Sequence, residues 1–187
     1  MIGRLVNQLQ HTPESLGPAY RRREDMLQRL EPSRLRVLLV EDHRDTRFLL
    51  TRLLQRAGFT VQPAGSVEEA RAIAQAGAHN GSGFHLLISD IGLPDGDGRE
   101  LLRNINPIQP LPAIAVSGLD SSGEIRKSIE AGFSRHLVKP IDFDELLFVI
   151  EDVLLEHAYD EDRARNRGLP PNETNPFGPP QHRGDPH

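Results

Sequence analysis

Short apolar runs without helical period punctuate the middle of the chain, and each is followed by residues that are apolar every third or fourth position. The first run, Val37-Leu38-Leu39-Val40, has the texture of a strand covered on both faces, and it ends in Glu41-Asp42. Phe48, Leu49, Leu53, Leu54 and Ala57 then recur at helical spacing until Gly58 stops them. Residues 60–62 predict a short second strand. Ser66-Val67-Glu68-Glu69 has the form of a capping box, in which each side chain satisfies an orphan amide, and it opens a second helix running to about Gln75. Residues 77–83 read as a flexible loop. It leads into His85-Leu86-Leu87-Ile88-Ser89-Asp90, an apolar run that delivers one carboxylate and then breaks at Pro94 and Gly96.

The alternation continues. A third helix over residues 98–105 carries Leu101, Leu102 and Ile105 and is ended by Pro107 and Pro110. Ala113-Ile114-Ala115-Val116 is a further buried strand, ending in Ser117-Gly118, and Ser121 to Glu124 repeats the capping-box form at a fourth helix that runs to Gly132. His136-Leu137-Val138 is the last strand, ending in Lys139-Pro140, and Asp142 caps a fifth helix striped by Leu146, Ile150, Val153 and Leu154. Strict alternation of this kind predicts an α/β fold: a doubly wound, five-stranded parallel sheet with five helices on its two faces.

Residues 34–157 hold this pattern. Residues 1–33 are a polar leader broken by Pro13, Pro18 and Pro32, with a short helix expected over residues 19–30 through Tyr20, Met26, Leu27 and Leu30. From Tyr159 the stripe is lost and six of the 15 prolines fall between Pro170 and Pro186, so residues 158–187 are expected to form a disordered tail.

Composition narrows the chemistry. The absence of Cys excludes disulfides, thiolate metal sites and a Cys nucleophile. No apolar run reaches membrane-spanning length and no signal-peptide pattern opens the chain, so a cytoplasmic protein without membrane contact is expected. The net charge of −5 resides in residues 34–157, with 13 basic against 18 acidic side chains. An acidic domain without a basic face argues against direct DNA binding. Arg21-Arg22-Arg23, followed by Glu24-Asp25, reads as one solvated turn of helix.

Parallel strands put their carboxyl ends on one edge, the edge where such sheets bind ligands. Glu41, Asp42, Asp90, Ser117 and Lys139 therefore converge. Three carboxylates brought together need a cation between them or a rise in pKa, and an all-oxygen donor set suits a hard ion such as Mg2+. A metal held by acids beside a lysine and a hydroxyl stabilises a transferring phosphoryl group, with Asp90 as its nucleophile. Lys139 is one of two Lys beside 20 Arg, which fits a site needing a compact ammonium. His136, inside an apolar strand, reads as a half-buried edge histidine, and Asp95 and Asp97 as loop and helix-start residues.

Val40-Glu41-Asp42, Ser89 to Gly96, Val116-Ser117-Gly118 and Leu137-Val138-Lys139-Pro140 together resemble, in order and spacing, the signature blocks of the receiver domain of two-component response regulators. The central block is also similar to receivers of hybrid sensor histidine kinases. The resemblance covers residues 34–157 and implies a flavodoxin-like fold. It implies that Asp90 is the phosphoacceptor, Asp42 a direct Mg2+ ligand, Glu41 a ligand through water, and the Gly92 carbonyl a further ligand. Ser117 and Lys139 would hold phosphoryl oxygens, and the Lys139-Pro140 peptide would be cis. His136 would occupy the switch position usually held by Tyr or Phe.

The expected function is a single-domain response regulator, a phosphoacceptor switch rather than an enzyme acting on a separate substrate. Its partners would be a sensor histidine kinase or a histidine phosphotransfer protein, with a weak homodimer through the fourth helix, fifth strand and fifth helix. The alternative is a phosphorelay shuttle or sink. A Mg2+-dependent phosphatase with an Asp nucleophile is more remote, because it needs a second acid where Gly92 stands. A flavodoxin-like electron carrier fails because Glu41-Asp42 would repel its phosphate. No effector module follows the fifth helix in the sequence, so output is expected through the receiver or its tails.

Overall fold

The computed structural model describes residues 32–118 and 121–165, and within them the two periodicities of the sequence sort into alternating strands and helices. The helix expected over residues 19–30 and most of the expected tail lie outside the described residues. After a 3-10 turn at Pro32–Arg34 come β1 (Arg36–Val40), β2 (Thr60–Ala64), β3 (Leu86–Asp90), β4 (Ala113–Ser117) and β5 (Arg135–Val138). They form one sheet in the order β2-β1-β3-β4-β5, every neighbouring pair parallel. The helices are α1 (Arg44–Arg56), α2 (Val67–His79), α3 (Gly98–Ile105), α4 (Ser122–Glu130) and α5 (Phe143–Arg165). This is the doubly wound sheet with five helices that the alternation predicts.

Each parallel connection needs a crossover, which lays a helix on one face of the sheet. Alternate strand residues therefore feed two cores. Leu38, Val40, Leu87 and Ala115 meet Ala70 and Ala74 of α2 and Leu101, Leu102 and Ile105 of α3. Val37, Leu39, Ile88, Ile114 and Val116 meet Leu50 and Leu54 of α1 and Leu146, Ile150, Val153 and Leu154 of α5. Coverage on both faces is why these strands read as unbroken apolar runs rather than as alternation, and each fully buried Leu or Ile contributes about 1.5–3 kcal/mol.

Several boundaries differ from the sequence reading. β2 continues through Pro63 to Ala64, because at a sheet edge the missing proline amide costs no ladder bond. α2 runs through Gly77 to His79 rather than ending near Gln75; a Cβ at Gly77 would come within 3.0 Å of the Ser82 carbonyl, so this glycine serves close packing and not a break. In α1 the buried residues are Leu50, Thr51 and Leu54, while Phe48 and Leu49 are 69% and 57% exposed. The apolar positions of α1 thus occupy two faces, and only the one aligned with Leu50 and Leu54 meets the sheet.

α5 continues to Arg165, past the expected boundary at Ala158. Its last turns lack a core-facing stripe but gain an i,i+4 pair, His157 Nε2 to Glu161 Oε1 at 3.5 Å, and a covered Leu155. Of the two capping boxes, Ser66 accepts from the Glu69 amide at 3.2 Å and the Glu69 carboxylate accepts from the Gly65 amide at 2.7 Å, one residue before the expected donor. Ser121 accepts from the Glu124 amide at 3.3 Å, but the Glu124 carboxylate turns away, to Arg99 at 3.0 Å and Lys127 at 2.7 Å.

Candidate functional site

β1 and β3 are neighbours with Val40 opposite Ser89, so Glu41 and Asp90 leave the sheet side by side. Glu41 is 2% and Asp90 8% exposed, whereas Asp42, one residue further out, faces solvent. One carboxylate oxygen from each of the three lies within 4.8 Å of the others. Such a cluster stands only with a counter-charge, and β5 delivers it. Lys139 Nζ lies 2.5 Å from Asp90 Oδ2 and 2.8 Å from Glu41 Oε2. Burial works against the Lys139 ammonium, but the hydrogen bonds it donates to Asp90 and Glu41, with their charges, outweigh it and raise its pKa above the usual lysine value.

The backbone fixes the remaining geometry. The Gly92 amide donates to Asp90 Oδ1 at 3.0 Å, so both oxygens of Asp90 are held, one by an amide and one by an ammonium. The Lys139 amide donates to the Ser117 carbonyl at 2.8 Å, which ties the lysine to the end of β4. Ser117 itself is 4% exposed, next in sequence to Val116, the register partner of Asp90. The Lys139–Pro140 peptide is cis, as the resemblance implies.

The expected residues Glu41, Asp42, Asp90, Gly92, Ser117 and Lys139 thus gather at one edge. His136 lies apart from them. It pairs in register with Ala115, is half-buried, and its Nδ1 lies 3.0 Å from Ser128 Oγ on α4. Ser128 spends its hydroxyl proton on the Glu124 carbonyl at 3.1 Å, so Nδ1 must carry the imidazole proton. Nε2 of the same ring is buried without a hydrogen-bond partner among the described residues.

Other residues complete the site through partners that the sequence does not mark. Arg47 donates from Nη1 to the carbonyls of Glu41 at 2.6 Å and Asp42 at 2.9 Å, capping the exit of β1. Asp95 accepts from the amides of Val67 at 2.8 Å and Glu68 at 3.0 Å, so the loop after Asp90 is pinned to the start of α2. Hydrogen bonds from these two amides hold the Asp95 carboxyl below the ordinary carboxylate range. Asp97 caps α3 through the Arg99 amide at 2.7 Å, in keeping with a helix-start residue. At Gly98 a Cβ would fall 2.2 Å from the Asp90 carbonyl, so only glycine lets α3 begin directly beneath the acid. Sequence gives the glycine but not the carbonyl it makes room for.

The donor set fits a hard divalent cation. Three carboxylate oxygens converge, and the exposed Asp42 leaves the outer side open to water, as Mg2+ requires. Among the described residues no helix is long and apolar enough to cross a membrane.

Known proteins share this framework. The model of the response regulator receiver domain matches residues 37–151. The two-component response regulator ARR2 of Arabidopsis thaliana is 31% identical over 123 residues, a match spanning 66% of this chain and 18% of ARR2. An uncharacterized 14.6 kDa protein of Leptolyngbya boryana is 30% identical over 122 residues, 64% of this chain and 89% of its own length. Among solved structures, a CheY-like receiver domain protein from Methanospirillum hungatei JF-1 gives a TM-score of 0.61 at 28% identity, covering 67% of this chain and 98% of that one. The receiver domain of the hybrid histidine kinase CckA gives 0.53 at 33% identity, covering 64% and 98%. A family match over residues 37–151, more than half the chain and including every residue of the acid and lysine cluster, means that the chain belongs to the response regulator receiver domain family.

Proposed function

We propose that Asp90 accepts a phosphoryl group from a phosphohistidine on a sensor kinase or phosphotransfer protein, and that the modified protein signals through an altered surface. Phosphorylation on aspartate is general for the family, and its members interact with histidine kinases or phosphotransfer proteins. In the step itself the P–N bond of the donor breaks, a P–O bond to the Asp90 carboxylate forms, and the donor imidazole leaves. The observation that carries the reading is the split of Asp90 between Lys139 Nζ at 2.5 Å and the Gly92 amide at 3.0 Å, inside a cluster of three acids. That arrangement orients the carboxylate and leaves a cation the task of offsetting the repulsion.

Asp42, Asp90, Glu41 through water and the Gly92 carbonyl would hold the cation, and Mg2+ there would draw charge from the phosphoryl oxygens. Lys139 then pairs with one phosphoryl oxygen and Ser117 donates to another. The setting is cytosolic, and the protein turns over only its own phosphorylation. The output surface is the face of α4, β5 and α5. Its support is the exposure there of Ile125, Ile129 and Val138, at 36%, 47% and 37%, an apolar group that suits a protein partner or a weak homodimer. Direct DNA binding is not part of the reading.

A second reading, a phosphorelay shuttle that hands the group to another histidine, is favoured by one observation: His136 already contacts α4 through Ser128, so little rearrangement is left to make. Incubation with acetyl phosphate and intact-mass detection tests the first step. The expected result is one phosphoryl group, absent in Asp90→Asn and absent with chelator. Modification that persists in either case overturns it. NMR of the free and beryllofluoride-bound protein separates the readings, since movement of α4 and the His136 ring marks a switch and their silence marks a shuttle.

A further inference from the structure

Gly92 serves the site with two backbone groups, an amide that holds Asp90 Oδ1 at 3.0 Å and the carbonyl proposed for the cation, yet its own surroundings do not fix it. It is exposed, and a Cβ built on it would meet nothing among the described residues within 4 Å. Its place must come from the segment it belongs to. That segment is an antiparallel hairpin of two-residue strands, Gly92–Leu93 and Gly96–Asp97, paired Gly92 to Asp97 and Leu93 to Gly96. Strands so short do not hold themselves together in water, and the hairpin depends on what it is fastened to.

Two anchors fasten it. Leu93, 8% exposed, sinks into the core cluster against which Val67 also packs. Asp95, at the turn, accepts from the Val67 amide with Oδ1 at 2.8 Å and from the Glu68 amide with Oδ2 at 3.0 Å. Both carboxylate oxygens are used, which the single acceptor of an Asn could not repeat. The start of α2 that donates these bonds is tied in turn to the exit of β1, because Glu69 holds the Gly65 amide at 2.7 Å and the preceding Ala64 carbonyl accepts from the Glu41 amide at 3.1 Å. A continuous path of backbone and hydrogen bonds therefore runs from Gly92 through Asp95 and the start of α2 to Glu41. Lys139 joins two of the acids themselves, whereas Asp95 joins the segments that carry them.

We propose that Asp95 is a positioning residue for the cation site, setting Gly92 against Glu41 and Asp42 so that its amide serves Asp90 while its carbonyl serves the metal. It acts through Gly92 and not on the phosphoryl group. The proposal rests on the reading of the acid cluster as a Mg2+ site, and its test separates the two. Amide NMR spectra of the whole chain are recorded for the wild type, Asp95→Ala and Asp95→Asn, first without metal and then through a Mg2+ titration. Without metal the Gly92 amide signal should move in both variants while the Val37, Leu38 and Leu39 amides of β1 stay in place, which controls for folding. The Mg2+ dissociation constant should then rise by about tenfold or more in Asp95→Ala, as when the support behind a metal ligand is removed, and by a smaller factor in Asp95→Asn, which keeps one acceptor. Arg135→Ala, at the opposite edge, should bind Mg2+ like the wild type, so that a general loss of stability is not what the titration reads. Should Asp95→Ala fail to fold, Asp95→Asn carries both comparisons. A Gly92 signal that does not move, or an Mg2+ affinity equal to that of the wild type, overturns the proposal. If the wild type itself binds no Mg2+, the reading of the cluster as a cation site falls, and the metal-free Gly92 signal alone decides whether Asp95 positions that residue.

Discussion

At the start of β5, Arg135 faces Asp152 at 2.7 Å and Glu156 at 3.1 Å, and the charges there are met by partners and by water. Where the same strand ends, Lys139 alone among the described residues faces the buried Glu41 and Asp90, with Asp42 beside them. One edge of the sheet is neutralised by half-exposed pairs of the kind that surfaces use anywhere. The other holds an excess of negative charge that the fold itself does not cancel. The difference marks the edge to which the proposed chemistry is assigned: three carboxylates against one ammonium leave a net negative charge that a divalent cation would offset.

Removing the lysine breaks this contrast most severely. Lys139→Met should lower phosphoryl uptake from acetyl phosphate by roughly 100-fold, because the ammonium that meets the developing phosphoryl charge is gone. It should also cost about 2–3 kcal/mol of stability, since two buried acids are left facing each other, and Mg2+ should restore part of the loss. The raised Lys139 pKa fixes the pH sign. Its contribution is fully present below the ordinary lysine value of about 10.4 and is lost as pH rises through the higher folded value. Denaturation series from pH 8 upward should therefore fall more steeply for the wild type than for Lys139→Met.

Gly98→Ala attacks the same edge through packing alone. The added methyl would meet the Asp90 carbonyl at 2.2 Å, so either α3 or the end of β3 must shift. About 1–3 kcal/mol should be lost in urea unfolding, with phosphoryl uptake reduced in parallel. An unchanged midpoint would mean that the start of α3 is free to move away from the acid. By contrast Arg135→Ala, at the other edge, should cost only about 0.5–1 kcal/mol, shrink with added salt, and leave phosphoryl uptake intact.

The unequal legibility of the two edges in the sequence has a physical cause. Strand order and helix alternation follow from periodicity, and the acids and lysine stand out because parallel topology sends them to one place. Partners that depend on side-chain reach carry no such pattern. Arg47 on the Glu41 and Asp42 carbonyls, Asp95 on the start of α2, and Glu124 turned toward Arg99 were invisible because any exposed polar residue reads alike in sequence. The exposed faces of α1 and α5 misled for a related reason. Phe48 and Leu49 keep helical spacing while lying off the Leu50 and Leu54 face, and Leu155 is covered without belonging to the core stripe.

The smallest expected effect sharpens the comparison by placing the weak points of the two edges at opposite ends of the pH scale. At the amino edge His85 and Arg36 bond reciprocally: the His85 amide donates to the Arg36 carbonyl at 2.8 Å, and His85 Nδ1 accepts from the Arg36 amide at 3.0 Å. Nδ1 accepts only while it carries no proton, so the structure holds the neutral ring. Burial, and then the nearby Arg36 charge, lower the His85 pKa below the ordinary histidine value of about 6.5. A lowered pKa means that the unfolded chain takes up the proton more readily. The contribution of His85 is therefore present above about pH 6.5 and is lost as pH falls through the lower folded value. His85→Asn keeps an acceptor oxygen for the Arg36 amide but cannot titrate. Urea midpoints between pH 7.5 and 5.5 should fall less in His85→Asn than in the wild type, and the difference should be insensitive to Mg2+, because the cation site is at the far edge. Equal slopes for the two proteins would show that loss of the bond to the Arg36 amide costs the fold nothing over this range, and the amino edge would then have no acid-labile contact of its own.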